Sequence, residues 1–284
     1  MSILCLGDAI VDLVRERADA FVPHPGGATA NTCVVAARLG ARVALAGSAG
    51  DDEWGRWLRS RLAAEGVSLD WFALVEDAPT AVAFVMVDGA GEPSYLLYGG
   101  GAQVVPAPEA VESCEALVLS SNTLVDEGER AATLAVRERA LELERPVVFD
   151  PNLRLHRWPH PGRAASVARE CVPGAFLVKA NRAEAQALTG EEDPRRAAAG
   201  LLAAGARNVV ITLGAAGAIL RGEVRGDVSG EPAEVVNSAG AGDALLGVLL
   251  ARLSQSRFYA PTLAAALPEA VRAAERATER WSAV

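Results

Sequence analysis

The chain has 284 residues, 51% hydrophobic and 22% charged, with a net charge of −9 at pH 7. That is room for one large α/β domain or two small ones, with the balance of a soluble globular enzyme. The acidic total argues against a nucleic-acid partner, which calls for a basic face, and no apolar run reaches the length of a membrane span.

The opening "MSILCLGD" lacks a basic region and meets an acid at Asp8, so no secretory leader is expected. "ILCLGDAIVDLV" reads as two buried strand segments broken at Gly7-Asp8. Asp12 falls in the second, where a buried acid needs a donor such as a sugar hydroxyl or a backbone amide. "PGGATAN", residues 25 to 31, sets Gly26, Gly27 and small residues ahead of Asn31. That pattern suits either close backbone approach to a ligand beside a bidentate amide, or a plain turn and helix N-cap. A helix ended by Gly40 follows, then the strand "RVALAGSAG". "DEWGRWLRSRLAAEGV" places Trp54, Trp57, Leu58 and Leu62 at helical spacing and stops at Gly66, and both tryptophans are expected in the core. "TAVAFVMVDGAGEPSYLLYGG", residues 80 to 100, reads as an antiparallel hairpin.

From Leu117 the pattern changes. "ALVLSS", "PVVFDPN", "AFLVKAN" and "NVVITLG" are short apolar strands separated by helical stretches, of which "DPRRAAAGLLAAGA" has Asp193 as N-cap and Gly205 near its stop. The alternation predicts a parallel sheet covered on both faces. With no linker composition, residues 1 to 284 are expected to form a single α/β domain, with a small β excursion from about 9–25 and 80–102.

Cys5, Cys33, Cys114 and Cys171 lack metal or disulfide spacing, the pattern of a reduced, cytoplasmic protein. His156 and His160 are separated by Pro159, so no helix carries them as a metal pair. Lys179 is the sole lysine; the chain has no G-K-[ST] phosphate loop, and Schiff-base chemistry could fall only on Lys179.

Open parallel sheets bind ligands at the carboxyl ends of their strands. Polar and glycine residues follow each strand there: Asp150 and Asn152, Asn181, Gly214, and Asn237 through Asp243. Asn181 and Glu184 in "KANRAEA" suit a capping box, or phosphate orientation through Mg²⁺-bound waters. "TLGAAG", residues 212 to 217, is a strand end and glycine turn. In "NSAGAGDALL", capping would need one acid, amide or hydroxyl and no paired glycines. The amides of Ala241, Gly242 and Asp243 can instead converge on an anion at a helix start. A carboxylate beside bound phosphate is tolerable as a general base on the attacking hydroxyl.

These residues, in this order, resemble the PfkB/ribokinase-type sugar kinases. "GGATANTCVVAARLGARVALAGSAGDDEWGRWL" resembles the N-terminal signature and "NSAGAGDALLGVLLARL" the C-terminal one, with "ILCLGDAIVD", "FDPNLR", "KANRAE" and "ITLGAAG" in place around them. The resemblance implies a three-layer α/β/α sandwich with a mainly parallel central sheet and a small β-sheet lid. It implies transfer of the γ-phosphoryl group of ATP, with Mg²⁺, to a hydroxyl of a small sugar or sugar acid. Asp243 is the implied base and Gly240, Ala241 and Gly242 the anion hole. Asp12, Gly26, Gly27 and Asn31 are the implied substrate contacts. Asn181, Thr212, Gly214 and Gly217 would hold the nucleotide, and Glu184 a magnesium ion through water. "DPNLR" is similar to fructokinases and 2-keto-3-deoxygluconate kinases, which adds Asn152 and Arg154 as substrate contacts. Alternatives are a nucleoside kinase of the same fold, or a sugar- or nucleotide-binding protein with decayed chemistry. Three departures stand out: glycines in "YLLYGGGA" where relatives often have a basic residue, Asn237 and Ala239 where relatives hold a monovalent cation, and a last helix without the asparagine often found near adenine. K⁺ activation is therefore not carried over. An exposed lid edge admits a homodimer.

Overall fold

A computed structural model of the chain describes residues 1–100, 104–231 and 234–282; residues 101 and 102 of the expected β excursion lie outside the described residues. In chain order the strands are β1 (Ser2–Leu6), β2 (Ile10–Arg17), β3 (Ala20–Gly26), β4 (Val43–Gly50), β5 (Ser68–Val75), β6 (Val82–Val87), β7 (Pro93–Tyr98), β8 (Cys114–Ser120), β9 (Val147–Asp150), β10 (Leu177–Asn181), β11 (Asn208–Thr212), β12 (Ala218–Gly222) and β13 (Gly226–Val228). The helices are α1 (Ala28–Arg38), α2 (Glu53–Ala64), α3 (Glu127–Glu142), α4 (Pro161–Ala168), α5 (Arg182–Thr189), α6 (Pro194–Ala203), α7 (Ala241–Gln255) and α8 (Pro261–Thr278).

The large sheet runs β13-β12-β11-β10-β9-β8-β1-β4-β5. Its pairs from β5 to β11 are parallel, and β12 and β13 add an antiparallel edge. Strand alternation divides the core between its two faces. On β1, Ile3 and Cys5 join the core formed with α1, α2, α7 and α8, whereas Leu4 and Leu6 join the one formed with α3 to α6. Near-continuous apolar strands follow from burial on both sides, and the three layers expected from the β-α alternation are present.

The second sheet runs β3-β2-β6-β7, with β2 and β6 parallel and the outer pairs antiparallel. Pro23 and Pro25 fit β3 because it is an edge strand. The expected hairpin is β6 and β7, closed by a turn in which Asp88 Oδ1 accepts from the amides of Ala90 and Glu92.

Three details differ from the sequence reading. Strands β5, β12 and β13 were not expected; β5 is an edge strand whose exposed Asp70 and Trp71 blur its period, and the other two are short and glycine-bounded. Trp54 does not enter the core. Gly55 takes the inward position, where a Cβ would stand 1.9 Å from the Gly50 carbonyl oxygen, and Trp54 remains 37% exposed, edge-on to Trp57. The last helix, expected over "LPEAVRAAERATERW", begins earlier, at Pro261, and keeps Pro268 inside it.

Candidate active site

Asp8 just beyond β1, Lys179 of β10 and Thr212 at the end of β11 all stand beside the start of α7. Gly240 precedes that turn with φ +80, a left-handed conformation that a side chain would disfavour. No side chain caps it, so its leading N–H groups keep the unpaired donors and positive end common to helix starts. Asp243 is not the cap. Its carboxylate is buried and turns toward α1, where Asn31 Nδ2 donates to its Oδ2 at 3.0 Å. Burial raises the Asp243 carboxyl to about 6, while Lys179, the Asn31 hydrogen bond and Arg154 oppose the rise.

Two clefts meet at this turn. One is walled by Asp8, Asp12, Gly27, Asn31, Arg154 and Asp243, with Tyr95 and Leu97 of β7 covering it. Asp12 sits against Gly26, where a Cβ would stand 2.3 Å from its carboxyl carbon, and its Oδ1 is buried without a hydrogen-bond partner. Burial, then the neighbouring Asp8 and Asp243, pushes its carboxyl up to about 7. Arg154 is the facing cation. It keeps access to solvent, and the cleft walls partly desolvate it, an effect that the charges of Asp243, Asp8 and Glu184 outweigh. Its guanidinium carbon lies 6.0 Å from the Tyr95 ring centre.

The other cleft carries Thr212, Gly214 and Gly217 on one side, Ala241 and Gly242 between, and an apolar wall of Leu245, Val271 and Ala274. The turn between β6 and β7 also reaches it through Ala90 and Glu92. There, the Ser238 amide donates to the Gly91 carbonyl at 2.8 Å and the Ser238 hydroxyl lies 3.2 Å from Glu92 Oε2.

Four expected residues lie outside both linings. Gly26 acts one layer back, as the space that admits the Asp12 carboxylate. Asn152 is buried at φ +40 and borders a small internal void beside Asp150 and Thr29. Asn181 and Glu184 form the capping box: Asn181 Oδ1 accepts from the Glu184 amide and Glu184 Oε2 from the Asn181 amide, each at 2.9 Å, while Glu184 Oε1 accepts from the Leu153 amide. The described residues contain no cluster of three or more His, Cys, Asp or Glu able to ligate a metal directly.

Sequence reasoning missed Asp8, Tyr95, Asn122 and Arg157, all in the first cleft. Asp8 carried the same signal as its neighbours, a polar residue just beyond a buried strand. The others arrive from the small sheet and from irregular turns, which have no period to read. Asn237 is buried and fully engaged: its Nδ2 donates to the Trp281 carbonyl at 2.8 Å and its Oδ1 accepts from the Ala239 amide at 3.0 Å.

Residues 1–279 match the sequence model of the pfkB family of carbohydrate kinases. The aminoimidazole riboside kinase of Salmonella typhimurium is 33% identical over 259 residues, covering 89% of this chain and 81% of that protein. The crystal structure of the Salmonella enterica aminoimidazole riboside kinase, complexed with aminoimidazole riboside and an ATP analogue, aligns with a TM-score of 0.88 at 30% identity, covering 100% of this chain and 95% of that one. A double mutant of the fructokinase from Vibrio cholerae O395, bound to fructose, ADP and a potassium ion, aligns with a TM-score of 0.88 at 30% identity, covering 100% and 94%.

Proposed function

The chain belongs to the pfkB family of carbohydrate kinases, and from that premise we propose that it moves the γ-phosphoryl group of ATP to a hydroxyl of a small sugar or sugar acid, with Asp243 as general base. The observation that carries this reading is the position of the α7 start between two clefts. Asp243 borders the cleft with polar and charged walls, and Ala241 and Gly242 border the cleft with an apolar wall and a glycine turn. The polar cleft takes the acceptor and the other the nucleotide, with Thr212, Gly214 and Gly217 along its phosphates and Val271 and Ala274 along its base.

Asp243 Oδ takes the proton of the acceptor hydroxyl as the oxygen attacks the γ-phosphorus, and the bond to the β-phosphate oxygen breaks to release ADP. A carboxyl at about 6 is ionised at neutral pH yet more basic than an ordinary aspartate. The amides of Ala241, Gly242 and Asp243, set by the turn at Gly240, face the charge on the transferred group. Asp12 accepts from acceptor hydroxyls, Asn31 fixes Asp243, and the Gly27 backbone permits close approach. Arg154 binds an acceptor oxygen or carboxylate. Bound Mg²⁺ would neutralise phosphate charge. Glu184 fits it only through water, since both its oxygens already accept a backbone N–H and no direct ligand cluster exists among the described residues. Asn237 spends both ends of its amide within the fold, which supports a K⁺-independent enzyme.

The whole chain acts as a single unit, and the small sheet of β2, β3, β6 and β7 serves as its lid. Leu96 and Tyr98 on the outer strand β7 are 52% and 59% exposed, an edge suited to pairing in a homodimer. A coupled ADP-release screen over sugars, sugar acids and nucleosides, with and without K⁺, tests the reading. Stimulation by a sugar or sugar acid without K⁺ is expected. Stimulation by nucleosides alone would reassign the acceptor, and release that no acceptor stimulates would overturn the kinase assignment for this chain.

A further inference from the structure

The one lysine of the chain, Lys179 on β10, lies buried behind the first turn of α7. Its Nζ donates to Asp150 Oδ2 at 2.9 Å, and among the described residues the ammonium has no other hydrogen-bond partner. A Cβ built on Gly242 would stand 2.6 Å from that Nζ and 3.3 Å from Cε. The bare edge of Gly242 is therefore the space in which the ammonium sits. Burial works against a charged lysine, but Asp150, Glu184 and Asp243 surround it and keep it protonated.

An ion pair with Asp150 alone does not account for this placement. A buried pair contributes little net stability over apolar packing, and it requires no glycine on the far side of the cation. Here a full positive charge sits against Gly242, which with Ala241 lines the cleft assigned above to the nucleotide, in an interior where charge acts at greater strength than in water. We propose, building on the kinase reading above, that Lys179 is a positioning cation for phosphoryl transfer: seated against Gly242 and anchored by Asp150, it strengthens the α7 amide nest for the phosphoryl group in flight while leaving ground-state nucleotide binding almost unchanged.

The probe is ADP with magnesium and aluminium fluoride, which mimics the group in transfer, set against ADP with magnesium alone. Titration calorimetry gives both affinities, and thermal melting reports the fold. Lys179→Met strands the Asp150 charge, so the double variant Asp150→Asn/Lys179→Met, which removes both charges, is measured beside it. Both variants are expected to bind ADP within about 3-fold of the parent and to lose on the order of 100-fold in affinity for the fluoride complex, the scale of one lost oxyanion donor. Asp150→Asn alone keeps the cation and is expected to retain most of that affinity. Full affinity in the folded double variant overturns the proposal and leaves Lys179 as a structural partner of Asp150. Equal losses in Asp150→Asn and Lys179→Met also overturn it, by assigning the effect to the pair. A parent chain that binds ADP but gains nothing from aluminium fluoride overturns the phosphoryl-transfer reading, and this proposal with it.

Discussion

Asn31 and Asp243 are 212 residues apart and meet side chain to side chain, Asn31 Nδ2 donating to Asp243 Oδ2 at 3.0 Å. The contact joins α1 to α7 beside the polar cleft and aims one carboxylate lone pair, leaving the others for the hydroxyl of the proposed acceptor. Asp243→Asn preserves this shape and removes the base. It is expected to lower acceptor-dependent ADP release by about 10²–10⁴-fold while ATP affinity, measured by calorimetry, stays near that of the parent. Retained turnover would refute the base assignment.

The same carboxyl sets a pH dependence. With Asp243 at about 6, kcat is expected to fall as pH drops through 6, because the protonated acid cannot accept a proton. Asn31→Ala removes a bond that lowers this value, so its acid limb moves to higher pH. Stability has its own sign. The folded value lies above the ordinary 3.8, so the folded chain holds the extra proton between about 4 and 6. The contribution of Asp243 to stability therefore declines as pH rises through that window and levels off above it. Asp243→Asn flattens this slope and is expected to raise the melting temperature at pH 8.

Residues on opposite sides of the α7 start should separate the two substrates. Arg154→Gln is expected to raise the KM of the acceptor by about 10-fold or more, the loss of a charge-assisted hydrogen bond, with the KM of ATP little changed. Ala274→Tyr fills the apolar wall of the other cleft and should do the reverse. Steady-state kinetics with both substrates varied checks the pair, and an equal effect on both KM values in either variant would refute the division.

Asn237→Asp tests a different matter. The position needs a donor toward Trp281 and an acceptor toward Ala239, and only an amide offers both. A carboxylate there faces a carbonyl oxygen in a buried place, so a loss of about 1–3 kcal/mol is expected, read from chemical denaturation. Unchanged stability would refute this account of Asn237, and K⁺ activation of the parent chain itself would show that the loop holds a cation with the amide in place.

Much of the fold was legible because apolar runs buried on both faces are hard to mistake. Val147 to Asp150 and Leu177 to Asn181 announce their strands and end on their own polar residues. Legibility faded where burial did, at Trp71 on the sheet edge and at Trp54, whose inward place a glycine occupies. In the candidate site, Asp243, Asn31 and the glycines around them were visible because special backbone and buried acids leave marks on composition. Arg157 and Tyr95 were not, because a residue brought in by tertiary folding leaves no local pattern. Gly242 was read for its amide, yet what its missing side chain makes room for is a lysine sixty-three positions away.

The hairpin of β6 and β7 lines the first cleft with its flank, through Tyr95 and Leu97, and the second with its tip, through Ala90 and Glu92. Under the proposed division of substrates, acceptor and nucleotide share this wall. An acceptor that draws the hairpin inward tightens the grip on ATP, and ATP must tighten the grip on that acceptor by the same factor, since such coupling is reciprocal. Coupling of that kind would favour a full complement of substrates over either one alone.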